Sequence, residues 1–254
     1  MSVLLDVEAI EAAIDQLYAH ELAPEYDRDR ATLTKAIDML RPASLRPMLE
    51  VGERRLQELS DRPEDVNRIN FSLHLIFDFF EGRRLAQIRP LIERALQNKL
   101  FNMKEQYIQT LEEFGDPASV LPLVRVLSVH PSDSIEDEGI RATVLGSLAA
   151  YFPPLADPSP VVAQLADESL RVRRAALRYI AMHAVDTAGA ALAARARVED
   201  DPDLLDEALG LLARTDRAQA VAIAESRLAS TAPSEAELIE QLQVSLSELR
   251  AQPH

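Results

Sequence analysis

The chain has 254 residues, 47% of them apolar and 27% charged, enough to bury a core as one large domain or two small ones. Its net charge of −15 argues against a nucleic-acid surface, where basic side chains supply most of the affinity, and against an anionic membrane. The absence of cysteine excludes disulfides, thiolate metal sites and cysteine nucleophiles, and seven glycines, under half the usual share of ~7%, favour helices over a turn-rich β or α/β fold.

Taken in chain order, Met1 to Ile10 lack the basic start and clean apolar run of a signal peptide, and no Lys or Arg precedes Arg28. No stretch approaches the ~18 consecutive apolar residues of a membrane span. The aromatic cluster Phe77 to Phe80 is interrupted by Asp78 and ends at Glu81. A cytoplasmic protein without membrane insertion is expected. Helical spacing of apolar residues then recurs along the chain. Val66, Ile69, Leu73, Ile76 and Phe80 step by 3, 4, 3 and 4, one face of a helix. Met103, Tyr107, Leu111 and Phe114 repeat the pattern with Ile108 beside them, and Val172, Ala176, Tyr179, Ile180 and His183 continue it. No segment alternates long enough for a half-buried strand.

Breaks punctuate these helices at Glu81-Gly82, Gly115-Asp116-Pro117, Asp157-Pro158, Asp186-Thr187, Asp200-Asp201-Pro202 and Thr215-Asp216. Asp and Thr cap helix N-termini, and Pro fits the first turn. Asp116, Asp186 and Asp216 each open a helix as Asp-x-Ala, and Asp157-Pro-Ser-Pro-Val is a looser copy. Units starting at 43, 84, 116, 157, 186 and 216 have room for two helices each. A lone helical hairpin cannot cover both its apolar faces, but stacked neighbours can. The expectation is all-α: an α-solenoid of about seven stacked antiparallel hairpins over 6–41, 43–82, 84–115, 116–152, 157–184, 186–214 and 216–250. They form one domain, with caps at 1–42 and 216–254 around repeats at 43–215. Ser132 to Gly139, with Asp133, Glu136, Asp137 and Glu138, reads as an acidic loop, and Gln252-Pro-His as a frayed tail.

DESLRVRRAALRYI, Asp167 to Ile180, resembles the inter-helix turn and second helix of a HEAT repeat. The family pattern places an Asp in the turn and a Val-Arg pair entering the second helix, matched by Asp167, Val172 and Arg173. FGDPASVLPLVRVL, Phe114 to Leu127, resembles the family's first helix, including Pro122. Asn98 and Lys104 keep the six-residue spacing with weaker residues, whereas Asp200 and Asp206 keep it without the cation. The likeness covers 114–214 most closely. It implies a HEAT-like, armadillo-like stack whose second helices line a concave face. It also implies an Arg173–Asp167 bond across the turn and a protein-binding scaffold rather than a catalyst.

No GxSxG, GxGxxG or GxxxxGK[ST] occurs, and the five histidines form no HExxH pair or His/carboxylate cluster. No catalytic residue, cofactor or metal is expected. Deoxyhypusine hydroxylases, metal enzymes of HEAT-like repeats, carry several His-Glu pairs; this chain has only His20-Glu21. Alkylpurine DNA glycosylases share the architecture, but they need aromatic platforms and a basic groove, and Trp is absent here. An enzyme or lyase-type subunit like the HEAT-like phycobilin lyases, or an acidic DNA-related regulator, remains as an alternative class.

Two surfaces are candidates for partner binding. Asn67, Asn70, His74 and Asp78 step by 3, 4 and 4 along one helix face, where amides can bond an extended peptide or simply form a wet edge. Gln106, Gln109 and Glu113 extend that strip on the next second helix. Arg171, Arg173, Arg174 and Arg178 make 161–200 slightly basic, with six cations to five anions. Of these, Arg174 and Arg178 lie one turn apart. Together they suggest another protein or peptide segment, an acidic one included, as the partner, with no direct nucleic acid.

Overall fold

A computed structural model describes residues 6–22, 45–80, 85–130 and 134–251. All regular structure among them is helical, with no strand. The second helix expected for hairpin 6–41, the Glu81-Gly82 break, Asp133 and the 252–254 tail lie outside the described residues. The chain falls into two compact units, Met1–Tyr107 and Ile108–His254.

The first unit contains α1 (Val7–Leu22), α2 (Leu45–Asp61), α3 (Val66–Phe80) and α4 (Leu85–Leu96). Asp6 caps α1 by accepting a hydrogen bond from Ala9 N at 2.8 Å. The spacing along 66–80 becomes a buried face: Ile69, Leu73, Ile76 and Phe80 are nearly inaccessible. Helix α2 packs against α1, α3 and α4. Glycine permits the α2–α4 approach, because a Cβ at Gly52 would collide with Leu91 Cδ2. Buried Arg55 joins Asp15 on α1 to Glu58, each at 2.9 Å. Helix α5 (Lys104–Phe114) begins in this unit and continues into the next.

The second unit continues with α6 (Val120–Val129), α7 (Ile135–Tyr151), α8 (Ser159–Val162) with a 3-10 turn at Ala163–Ala166, and α9 (Leu170–His183). A 3-10 turn (Asp186–Ala188) leads into α10 (Gly189–Ala196), followed by α11 (Pro202–Ser230) and α12 (Ala236–Ala251). Helix α7 packs on α9, α9 on α11, and α11 on α12. On the other side α6 meets α8, and the 163–166 turn meets α10. These contacts make two layers, with α6, α8 and α10 in one and α7, α9 and the start of α11 in the other.

Local chemistry starts and stops these helices. Asp116 accepts from Ala118 N at 2.9 Å, and Asp201 accepts from Leu204 N at 3.0 Å to cap α11. Asp216 takes non-helical angles (φ −146, ψ 83) and accepts from Gln219 N at 2.9 Å, so α11 is two helices meeting at the expected break. Asp186 departs from the pattern. It sits inside the 3-10 turn and makes no capping bond. The acidic loop is also corrected from Ser134 onward. Ser134 accepts from Asp137 N at 3.0 Å, and Glu136, Asp137 and Glu138 occupy the first turn of α7. Negative charge there favours a helix because it meets the positive end of the macrodipole.

Candidate functional site

The polar stripe on α3 divides into structural and exposed parts. Asn70 is buried, and its amide donates to Val66 O at 3.0 Å and to Leu100 O at 2.8 Å. Its oxygen accepts from Asn102 N at 3.1 Å. One donation stays within α3, while the other and the acceptor tie α3 to the segment before α5, so the amide is spent rather than facing a partner. His74 is half-buried and stacks on Tyr107, with ring centroids 5.3 Å apart and planes within 8°. Asn102 Oδ1 can only accept, so the neutral ring donates from Nε2 to it. Nδ1 then accepts from the Tyr107 hydroxyl at 2.7 Å. Burial lowers the His74 pKa below its ordinary value, partly opposed by the Asn102 bond and the nearby Asp78 charge. The Tyr107 hydroxyl also lies 3.5 Å from Asp78 Oδ1. Asn67 and Asp78 are exposed, as are Gln106 and Gln109 on α5.

The arginines of α9 divide in the same way. Arg173 is buried and does not bond the Asp167 carboxylate expected from the HEAT-like spacing. Its guanidinium donates to the carbonyls of Asp167 at 3.2 Å and Glu168 at 2.7 Å. Its carboxylate partner is Glu199, at 2.8 and 2.9 Å. The Asp167 carboxylate accepts instead from Arg141 at 3.1 and 3.2 Å. Each pair thus reaches from one hairpin to the next, and the second pair repeats the first 32 residues later (Arg141 to Arg173, Asp167 to Glu199). Burial by itself pushes the Glu199 carboxyl up, but bonds from Arg173, Arg195 and Asp201 N hold it below its ordinary value.

Arg171, Arg174 and Arg178 are exposed. Arg174 comes to 3.9 Å from Asp201. Arg178 has no ion pair or hydrogen bond among the described residues. The same 32-residue offset places Gly146 on α7 and Gly210 on α11 in the positions equivalent to Arg178. A Cβ at either glycine meets nothing within 4 Å. The helix surface at Gly146 and at Gly210 is therefore low and open. Near Arg174, burial pushes the Glu207 carboxyl up, with Arg174 opposing and Asp206 adding to the shift.

His183 donates from Nε2 to the Leu148 carbonyl at 3.1 Å, and His130 lies 2.5 Å from Asp137. Among the described residues no group of three or more His, Asp or Glu side chains could hold a metal ion. Nor is any described helix long and apolar enough to cross a membrane. Sequence reasoning missed Glu199, Gly146 and Gly210. Their signal was the 32-residue offset, hidden because the helix starts are unevenly spaced. No protein-family model, curated protein or solved structure matches this chain.

Proposed function

We propose that the chain is a non-catalytic interaction scaffold of the cytoplasm, a HEAT-like α-solenoid of about seven hairpins that captures a segment of a partner protein. Two layers of packed helices and inter-hairpin ion pairs repeating at 32 residues support the stacked arrangement. The observation that carries the binding role is Arg178. It is an exposed cation with no ion pair or hydrogen bond among the described residues, on the helix that packs against both α7 and α11, which carry the low positions Gly146 and Gly210. Helix glycines cost about 0.5–1 kcal/mol each relative to alanine, and one use for them is close approach by another backbone. An extended segment lying across α7, α9 and α11 would pass over both glycines. An acidic end of that segment would meet Arg174 and Arg178. The exposed Asn67, Asp78 and Gln106 form the second candidate surface, in the first unit, and Gln109 is exposed on α5 in the second. A net charge of −15 makes nucleic acid an unfavourable partner.

The test reverses charge. Arg174→Glu with Arg178→Glu is compared with Arg125→Glu, an exposed cation on α6 in the other layer. All variants must keep wild-type helicity. Affinity capture with identification of the partners should show the double variant losing proteins that the wild type and Arg125→Glu both retain. Equal recovery at low salt contradicts this binding face.

A further inference from the structure

A groove of about 580 Å³ opens in the second unit between the 159–166 segment and α10, within the usual ~300–1,000 Å³ of ligand clefts. Its walls are small and aliphatic: Val162, Leu165, Ala166, Ala191, Ala194 and Val198. Val198 is 58% exposed, so apolar surface faces water here. The hydroxyls of Ser159 and Thr187 belong to one end, where α8 and the 186–188 turn begin. Arg195 stands at the other, in the last turn of α10, and is the one charged residue of the lining.

The charge on Arg195 lacks a counter-ion of its own. Its Nε donates to Glu199 Oε2 at 2.7 Å, but Arg173 already holds both oxygens of that carboxylate. Two guanidinium groups thus share one anion, leaving a surplus positive charge. Among the described residues, the terminal amino groups Nη1 and Nη2 of Arg195 have no hydrogen-bond partner. A guanidinium offers five donors in a planar fork suited to a carboxylate. Other nearby acids are committed elsewhere: Asp200 pairs with Arg227, and Asp201 caps α11.

We propose that this groove binds an amphipathic monoanion, a medium-chain aliphatic carboxylate. Its chain lies along Val162, Ala191 and Ala194, and its carboxylate meets Nη1 and Nη2 of Arg195. The eight residues of α10 span about 12 Å at 1.5 Å per residue, the reach of such a chain. The site lies in the opposite helix layer from Arg174 and Arg178, so it stands or falls independently of the scaffold reading.

Calorimetric titration of the full chain tests this with hexanoate, octanoate and decanoate, beside decanol as the uncharged control. Affinity should rise about fourfold per added methylene, with one ligand per chain. Decanol should bind about tenfold or more weakly than decanoate, as expected for loss of a charge-assisted bond. Arg195→Met should weaken decanoate by a similar factor and leave decanol unchanged. Arg173 still neutralises Glu199 in that variant, so the fold is retained. Ala194→Phe, which fills the groove, should abolish both, and it decides the matter alone if Arg195→Met proves unstable. Absence of binding, equal affinity for decanol and decanoate, several ligands per chain, or undiminished binding by a correctly folded Ala194→Phe variant overturns the proposal.

Discussion

His74 stands where a positive charge is costly. Burial lowers its pKa from the ordinary 6.5, so the folded chain takes up this proton at lower pH than the unfolded chain. The resulting stability is present in full above the unfolded value and is lost as pH falls through the folded one. His74→Gln keeps a polar side chain but cannot titrate. The stability gap between wild type and this variant, from urea unfolding, should narrow as pH falls from about 7.5 to about 5. A constant gap would show that the ring does not titrate as its burial requires. Glu199 presents the opposite charge problem. Its side chain is 1% exposed and is held by two arginines. Arg173→Ala removes the bidentate partner and should cost about 3 kcal/mol, as for other broken buried pairs. Arg195→Met leaves that partner in place and should cost about 1 kcal/mol. Equal costs in the same urea series would contradict the unequal sharing.

Among the helices, local signals set the boundaries and packing sets what each face does. Gly146 and Gly210 lie inside helices with open space around the Cβ position. Alanine there adds no clash and removes the entropic cost of ordering glycine, so Gly146→Ala and Gly210→Ala should each stabilise by about 0.5–1 kcal/mol. In a domain of this size that corresponds to roughly 2–4 °C of melting temperature per kcal/mol. An unchanged or lowered melting temperature would mean that the space is not open. If partner backbone passes over these positions, both substitutions should also weaken capture while raising stability. A purely structural surface would show only the first effect.

For the whole molecule, charge is the governing quantity. A chain of −15 repels acidic partners at long range, so capture of one depends on a local cationic site rather than on the overall field. On the proposed reading the exposed arginines of α9 would provide such a site, although Arg174 already faces Asp201. Salt screens both effects over a Debye length of about 10 Å at 0.1 M. The effect of reversing Arg174 and Arg178 should therefore be largest at low ionic strength and shrink as salt is added. A salt-independent loss of capture would point instead to packing by the arginine stems.

The helical class and most boundaries were legible in the sequence because they depend on neighbours within a few residues. Asp116, Asp201 and Asp216 bond backbone N–H groups two or three residues ahead, and the spacing of Ile69, Leu73, Ile76 and Phe80 defines a face without reference to any other element. The same locality exposed Ser134 as a cap only in retrospect, since four acids within six residues, Asp133 to Glu138, also suit a loop. The candidate site was less legible. Nothing in the stripe at 67–78 separates Asn70, whose amide is consumed by Leu100 and Asn102, from the exposed Asn67. Likewise, the HEAT-like pattern assigned Arg173 to Asp167, six residues away, whereas the fold brings it to Glu199, 26 residues away. A helix face is determined by the 3.6-residue repeat of one segment. The partner of a charge, and whether an amide is spent or available, is determined by which segments packing brings together, and that was decided only by the tertiary structure.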